Sequence, residues 1–297
     1  MMRSLLLLPF LVMTGCVMPP GFGAREHRAG VVLAPMHFRA DAPHVMAKLN
    51  GGKSLPALLD TGASVCVLEA ALAARYDVPL IPGKATNIRG IHGSAIAMRA
   101  VIHGLDIGPW HASGVPCYVR NNGGPRFGGL GNVILGIDLM RRHARFVTFD
   151  YRDGHVEFGM DVPFVPRARL ETTRVPFRWS NGLPMIEVAS GALKWDAVVD
   201  TGSSWGIVID QTTAARLGHA KGGSGLGRNM MLTGVGGSVS ADDAGARIIR
   251  VPSVTLCGRT APEDLYVMPG PKRIGSAYWH GCRLTLDFST NTLWLQR

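Results

Sequence analysis

The pattern of apolar and polar residues along the chain predicts short β-strands rather than long helices. Runs of Val, Ile and Leu alternate with turn residues, and the chain contains 38 glycines and 19 prolines. Short apolar runs bounded by Gly, Pro, Asn and Asp are typical of strands joined by tight turns. The clearest helical patterns are brief and lie at residues 69–76 and 211–217. We therefore expect an all-β fold class with a few short helices.

Two stretches of the chain share one local pattern: an apolar run, Asp-Thr-Gly, and a second apolar run. The tripeptides are Asp60-Thr61-Gly62, within residues 57–68, and Asp200-Thr201-Gly202, within residues 197–208. Each stretch predicts a strand, a tight turn and another strand. A single Asp-Thr-Gly is weak evidence, because these are ordinary turn residues. Its duplication in matching surroundings indicates an internal repeat.

The repeat continues downstream over the length of a domain. In each half a glycine-rich turn follows that suits the tip of a β-hairpin, then an apolar pair or single apolar residue before glycine, and then a terminal strand. The turns are Gly90-Ile91-His92-Gly93 and Gly234-Val235-Gly236-Gly237, the glycine motifs are Ile134-Leu135-Gly136 and Ile274-Gly275, and the strands are residues 145–150 and 283–288. A repeat of this length predicts two similar lobes rather than a solenoid of short units.

In this set of motifs, over roughly residues 31–297, the chain resembles the retropepsin-like aspartic peptidases. The resemblance implies two similar retropepsin-like β-barrel lobes, residues 31–160 and 175–297, joined by a linker at residues 161–174. Retroviral members combine two identical chains, whereas both copies lie here in one chain. The lobes are therefore expected to form a pseudo-dimer, active as a monomer, with an inter-lobe active-site cleft.

The resemblance implies that Asp60 and Asp200 are the catalytic residues of an aspartic endopeptidase. Two carboxylates held close together cannot both ionise readily, so one stays protonated while the other acts as a base. The ionised group would take a proton from a water molecule that attacks the scissile carbonyl, and the protonated group would hydrogen-bond the carbonyl oxygen. This chemistry requires neither a covalent intermediate nor a cofactor.

The residues that flank the aspartates have supporting roles in the same resemblance. Thr61 and Thr201 would hydrogen-bond across the lobes and join the two turns. Gly62 and Gly202 would allow backbone amides to approach the carboxylates, where a Cβ would interfere. Ser203 stands where the first lobe has alanine, so its hydroxyl is expected to donate to Asp200. The glycine-rich turns would be flaps that bind substrate, although the first holds Ile91 and His92 and lacks the tyrosine of pepsin-like flaps.

Two other functions compete with this interpretation. Residues 202–206 match G-x-S-x-G, the nucleophile elbow of serine hydrolases, with Ser204 as the nucleophile. That elbow needs a helix directly after the serine, and residues 207–209 predict a strand instead. The second alternative is a lipoprotein that binds peptides or envelope polymers on the same scaffold without cutting them. Retention of both Asp-Thr-Gly motifs favours the enzyme, because a binding protein has no need of two adjacent carboxylates.

The N-terminal segment predicts export. Arg3 precedes an apolar run at residues 5–13 that is too short to span a bilayer. Residues 1–16 end like a bacterial lipoprotein signal peptide, in which Cys16 would receive lipid, and residues 17–30 would form a tether. The expected location is the bacterial cell envelope, anchored to a membrane and facing the periplasm. The alternative is an ordinary signal peptide, which would leave a soluble periplasmic or secreted protein.

Composition limits the partners. The formal net charge is +10, but the basic residues are scattered and show no interleaving with aromatic residues, so nucleic acid is not expected. The expected partners are a protein or peptide substrate and the membrane. The expected reaction is limited proteolysis of envelope proteins. No CxxC or HExxH spacing predicts a metal site. The four remaining cysteines, Cys66, Cys117, Cys257 and Cys282, permit either one disulfide per lobe or small buried thiols, and the sequence leaves this open.

Overall fold

The structure is a computed structural model that describes residues 28–90, 93–120, 133–227 and 229–297. The predicted signal peptide with Cys16 lies outside the described residues, as do most of the predicted tether and two residues of the first predicted flap, Ile91 and His92.

The first half of the chain forms eleven strands and two short helices within the described ranges. In chain order they are β1 Val31–Pro35, β2 His37–Arg39, β3 Ala42–Leu49, β4 Leu55–Asp60, β5 Cys66–Glu69, α1 Ala70–Arg75, β6 Thr86–Arg89, β7 Ser94–Ile107, β8 Trp110–Arg120, β9 Val133–Gly136, α2 Ile137–His143, β10 Phe146–Asp150 and β11 His155–Gly159.

The second half has a similar order of elements. They are β12 Thr172–Pro176, β13 Arg178–Ser180, β14 Leu183–Ser190, β15 Leu193–Asp200, β16 Ile207–Ile209, α3 Gln211–Arg216, β17 Ser224–Gly225, β18 Met231–Gly234, β19 Gly237–Ser240, β20 Arg247–Leu256, β21 Arg259–Val267, β22 Arg273–Gly275, the 3-10 helix Ser276–Trp279, β23 Arg283–Asp287 and β24 Thr292–Gln296.

The described part of the chain is therefore mostly β, as its sequence pattern predicts, and its helices are four to seven residues long. α1 and α3 coincide with the helical patterns at residues 69–76 and 211–217. α3 begins at a regular cap, because the Asp210 carboxylate accepts a hydrogen bond of 2.7 Å from the Thr213 backbone N–H. Within the described ranges no helix has the length and apolar character needed to cross a bilayer.

Each half of the chain builds one eight-stranded sheet, and the two sheets have the same strand order. The first runs β2-β3-β4-β9-β5-β8-β7-β6 and the second β13-β14-β15-β22-β16-β21-β20-β17. The first closes into a ring of six strands because β3 also pairs with β7, from Ala47↔Ile107 to Leu49↔Leu105. The second closes more weakly, through the single pair Ala189↔Thr255 between β14 and β20.

A third large sheet joins the two halves. Its order is β1-β11-β10-β23-β24-β12, so three strands come from each half, and β10 pairs antiparallel with β23. At the centre of that pair the hydroxyls of Thr148 and Thr285 lie 2.7 Å apart, both fully buried. β12 begins at Thr172 because it pairs with β24, so the predicted linker at residues 161–174 extends too far at its C-terminal end.

The apolar core is continuous across these sheets. Side chains of both rings and of the shared sheet pack into one cluster that includes Leu59, Val199, Phe149 and Leu284. Trp110 and Phe158 stack within it, with ring centroids 4.4 Å apart. The two halves are therefore packed as one body, and buried apolar surface as well as hydrogen bonds joins them.

The four described cysteines are free and buried. Cys66 and Cys117 face each other on the parallel strands β5 and β8. Burial raises the pKa of Cys117 and of Cys257 to about 12, so these thiols stay neutral at ordinary pH. The structure thus has the buried-thiol alternative rather than disulfides, and the cysteines act as small apolar side chains.

Candidate active site

Each Asp-Thr-Gly forms a tight turn at the end of a buried strand. β4 ends at Asp60 and β15 ends at Asp200. The turns are closed by hydrogen bonds from the Ala63 N–H to the Asp60 carbonyl, 3.3 Å, and from the Ser203 N–H to the Asp200 carbonyl, 3.2 Å. Both aspartates therefore point from rigid strand ends rather than from loose loops.

The glycine of the later motif in each half packs directly beneath the turn. Gly136 pairs with Asp60 and Gly275 pairs with Asp200, each on a parallel neighbouring strand. A Cβ at Gly136 would lie 2.6 Å from the carbonyl carbon of Val65, too close for any side chain. Glycine is thus needed in each of these motifs, because the backbone that follows each Asp-Thr-Gly turn lies directly against the glycine.

Four reciprocal hydrogen bonds join the two turns through their threonines. The Thr61 hydroxyl donates to the Val199 carbonyl at 2.6 Å and accepts from the Thr201 N–H at 3.0 Å. In return, the Thr201 hydroxyl donates to the Leu59 carbonyl at 2.7 Å and accepts from the Thr61 N–H at 3.0 Å. Both threonines are fully buried, so no water competes for these bonds.

These bonds bring the two carboxyl groups together. Asp60 and Asp200 hydrogen-bond each other through their side chains. A Cβ at Gly62 would overlap the Asp200 carboxyl, and a Cβ at Gly202 would overlap that of Asp60. Backbone N–H groups also reach the pair: Gly62 donates to Asp60 Oδ1 at 2.8 Å, and Ser203 donates to Asp200 Oδ1 at 3.0 Å. Glycine is therefore required on both sides of the dyad.

The two carboxyls have unequal electrostatic surroundings. Burial raises the pKa of Asp60 well above its usual value, and the neighbouring charge of Asp200 raises it further. Burial also raises the pKa of Asp200, but the Arg273 guanidinium and several hydrogen bonds oppose that rise. The Arg273 guanidinium thus lies beside Asp200 and has a less direct influence on the pKa of Asp60. The dyad is chemically asymmetric although its backbone is nearly symmetric.

Arg273 was not among the candidate residues found from the sequence. It lies at the start of β22 and is 2% exposed, with Nε 3.7 Å from Asp200 Oδ2. Its Nε also donates to the Ser203 hydroxyl at 3.3 Å. That hydroxyl, expected to donate to Asp200, therefore has Arg273 as its partner, and the Ser203 backbone N–H supplies the bond to Asp200. A charged residue inside an otherwise apolar motif was the available signal.

The two glycine-rich turns are the tips of hairpins that meet. Gly90 and Gly93 close the turn between β6 and β7 through a 3.1 Å backbone hydrogen bond, and Gly234 pairs with Gly237 at the end of β18 and β19. A Cβ at Gly90 would lie 2.9 Å from the backbone nitrogen of Val235. Likewise, a Cβ at Gly93 would lie 3.2 Å from the carbonyl oxygen of Gly236. The tips are thus in backbone contact with each other.

The second hairpin is also attached to the opposite lobe. Val235 packs on an apolar cluster of the first lobe that includes Leu58, Val67 and Ile134. The buried Arg120 donates a hydrogen bond to the Val235 carbonyl and forms an ion pair with Glu69. Together with both aspartates, the hairpins enclose a cleft of about 400 Å³. The contact between Arg120 and Val235 was not predicted from the sequence, because nothing around Arg120 distinguishes it from an ordinary strand residue.

Two further groups, one suggested by the sequence and one by the structure, lie in surroundings that do not suit catalysis. Ser204 is followed by strand β16 rather than by a helix, so the geometry of a nucleophile elbow is absent at this described position. Asp150, Asp153 and His155 place possible metal-ligand atoms within 4.8 Å of one another. Arg283 lies 2.6 Å from Asp150, however, and Arg167 lies 3.5 Å from Asp153. Arginines thus compensate this cluster as a structural ion-pair network.

Comparison with known proteins identifies a family in the first lobe. The family described as aspartyl protease matches residues 45–139. Residues 45–139 are an aspartyl protease domain. The matched segment contains Asp60-Thr61-Gly62, the first hairpin and Ile134-Leu135-Gly136, and it covers about a third of the chain. No curated protein matches the chain significantly. An aspartyl protease domain implies a hydrolase that acts on peptide bonds.

The cross-lobe threonine bonds predict a large effect of one hydroxyl. Thr201→Val leaves the Leu59 carbonyl and the Thr61 N–H without their partner, and each buried unpaired group costs about 1–3 kcal/mol. We expect a clear loss of free energy of unfolding, measured by denaturant titration. Thr201→Ser keeps the hydroxyl and is expected to lose less. Thr255→Val, where the hydroxyl bonds the exposed Thr260, is the surface control. Equal stability of the Val and Ser variants at position 201 would contradict the prediction.

The raised pKa of Asp60 predicts how stability depends on pH. A group whose pKa is higher in the folded state stabilises the fold below its unfolded pKa, and that contribution is lost as the pH rises through the folded pKa. Asp60→Asn removes this titration. We expect its melting temperature to exceed that of wild type by a few degrees at neutral and alkaline pH, with the gap closing in acid. Exposed Asp264→Asn is the control; identical pH curves for wild type and Asp60→Asn would disprove the prediction.

Proposed function

We propose that the chain is an aspartic endopeptidase that hydrolyses peptide bonds with a water molecule activated between Asp60 and Asp200. The observation that carries this proposal is the pair of hydrogen-bonded carboxyls, held between two turns by reciprocal threonine bonds. Placing two acids together in a buried site costs stability, and such an arrangement is typical of sites that use a shared proton. The aspartyl protease domain at residues 45–139 supports the same conclusion.

The reaction follows from one shared proton. The ionised carboxylate takes a proton from the water as the water oxygen attacks the scissile carbonyl carbon, and the protonated carboxyl donates a hydrogen bond to the carbonyl oxygen. When the C–N bond breaks, the proton taken from the water passes to the leaving amine. The two carboxyls then share one proton again, so the dyad is regenerated without a covalent intermediate.

The substrate is an extended segment of a protein, and cleavage is limited to few targets. An extended peptide that enters the cleft of about 400 Å³ must displace the contact between the hairpin tips. It must also displace Val235 from the apolar cluster of the first lobe. These contacts favour substrates that bind well enough to open the hairpins, which supports processing of selected envelope proteins rather than general digestion.

The proposed enzyme works as a monomer at a membrane surface. Both aspartates belong to one chain, and one continuous core joins the two halves, so no second copy is needed to complete the site. Residues 17–30 would tether the enzyme to lipid on Cys16, on the periplasmic side of a bacterial membrane. The apolar run followed by Cys16 in the sequence supports this location.

The dyad predicts that either aspartate is indispensable. Asp60→Asn and Asp200→Asn are each expected to lower kcat/KM on a peptide library by about 10²–10⁴-fold, because each removes one half of the acid and base pair. Circular dichroism should show both variants folded, and Asp264→Asn should retain wild-type activity. Specific activity of the wild type should not change on dilution. Near wild-type cleavage by either dyad variant would refute the dyad, and peptide binding by a wild type that never cleaves would favour the binding lipoprotein.

The anchor predicts a specific change in location. Expressed with its full leader in a bacterium, the wild-type chain should incorporate labelled fatty acid, whereas Cys16→Ser should not and should leave the membrane fraction or remain unprocessed. Cys117→Ser, which alters a buried thiol of the first lobe, is the control and should still be labelled. An unlabelled wild type whose mature N-terminus lies beyond residue 16 would show a soluble exported protein instead.

A further inference from the structure

The two halves of the site differ at a buried position beneath the aspartates. Strand β9 places Ile134 beside Leu58, two residues before Asp60, and strand β22 places Arg273 beside Val198, two residues before Asp200. Register therefore makes Ile134 and Arg273 equivalent. Ile134 packs in an apolar cluster, whereas Arg273 brings a positive charge to the same place beneath the second aspartate. The difference lies in the side chains, since the backbone pairing is the same in both halves.

The guanidinium of Arg273 is held in one orientation by uncharged groups. Nη1 donates to the Pro271 carbonyl at 3.0 Å, Nη2 contacts the Met268 sulfur at 3.8 Å, and Nε donates to the Ser203 hydroxyl at 3.3 Å. These contacts fix its direction but supply no compensating charge. A buried cation without a negative partner is costly, so the compensation must come from a nearby acid.

The acids that face Arg273 are the two members of the dyad. Asp200 lies 3.7 Å from Nε, and Asp60 acts on Arg273 more weakly. The adjacent Lys272 does not contribute, because its Nζ lies 3.4 Å from Asp210. Tyr151, packed near Asp200, has a raised pKa and stays neutral. With one shared proton the dyad carries a single negative charge, which matches the single charge of Arg273.

We propose that Arg273 is the positioning residue that fixes the shared proton on Asp60 and the negative charge on Asp200, so that Asp200 is the base that activates water. This rests on the proposed peptidase function. In that reaction Asp200 takes the proton from water, and Asp60 donates its hydrogen bond to the substrate carbonyl. The geometry gives a reason for the assignment, because the cation contacts only one of the two carboxyls directly.

The surroundings of each carboxyl agree with this assignment. The pKa of Asp60 is raised by burial and by the charge of Asp200, which keeps Asp60 protonated. Arg273 opposes the effect of burial on the pKa of Asp200, which keeps Asp200 ionised over a wider range. Ionisation of Asp200 sets the acid limb of the pH profile of activity. Loss of the one remaining proton, from Asp60, sets the alkaline limb.

The test is the pH profile of kcat/KM for four proteins: wild type, Arg273→Met, Arg273→Lys and Lys272→Met. Removing the cation raises the pKa of Asp200, so the acid limb of Arg273→Met should move to higher pH by about one unit or more. The alkaline limb should move the same way by less. Arg273→Lys retains a charge and should stay closer to wild type. Lys272→Met removes a neighbouring charge that faces Asp210 and should leave both limbs in place.

A loss of activity in Arg273→Met that is uniform across pH would overturn the proposal, since a merely structural arginine would produce that result. The proposal would also fail if Arg273→Lys and Arg273→Met had identical limbs. Should Arg273→Met fail to fold, Arg273→Lys still decides. The lysine ammonium would lie in a different position from the guanidinium, so the acid limb should move to higher pH by a smaller amount. An unshifted acid limb would contradict the proposal.

A second measurement needs no catalytic activity and so separates this proposal from the proposed function. A double-mutant cycle of Arg273→Lys and Asp200→Asn, read as denaturation midpoints at neutral pH, should be non-additive, because the lysine variant weakens an interaction that the asparagine variant has already removed. Additive midpoints would overturn the coupling of Arg273 to Asp200. A wild type that cleaves no peptide but shows this coupling would refute the peptidase while leaving the arginine's control of the charge intact.

Discussion

The reciprocal hydrogen bonds between Thr61 and Thr201 are the constraint on which the rest of the site depends. Each hydroxyl reaches across to a backbone carbonyl just before the opposite aspartate, so the two turns have no freedom to separate. Gly62 and Gly202 then become necessary, since a side chain there would overlap the facing carboxyl. The proximity of two acids, which is unfavourable by itself, is enforced by a buried polar network that has no water to replace it.

The second hairpin and the shared sheet also join the two lobes. The second hairpin is docked on the first lobe through Val235 and Arg120. The shared sheet adds a buried ion pair between Asp150 and Arg283, contributed by strands of different halves. The two lobes are therefore joined both through the second hairpin and through the shared sheet.

Local sequence predicts the local features of this structure well. Asp-Thr-Gly between apolar runs predicts strand, turn and strand, and α1 and α3 coincide with the short helical patterns at residues 69–76 and 211–217. The pairing of β10 with β23 could not be predicted, because it joins strands more than a hundred residues apart and neither carries a signal for its partner. Arg273 was missed for a related reason. Its charge is visible in the sequence, but whether such a side chain faces solvent or a buried carboxyl depends on sheet register, which the sequence does not specify.

The equivalence of Ile134 and Arg273 has a consequence for how such a site can evolve. In an assembly of two identical subunits, any residue introduced beneath one aspartate appears beneath the other as well. Two buried guanidiniums would then face one shared negative charge, and neither carboxyl would differ from its mate. Covalent fusion of the halves removes that symmetry requirement. Each aspartate can then acquire its own environment by independent substitution. Which carboxyl is the acid and which is the base is in that case determined by the sequence of the chain, whereas in a symmetric dimer either carboxyl can hold the proton.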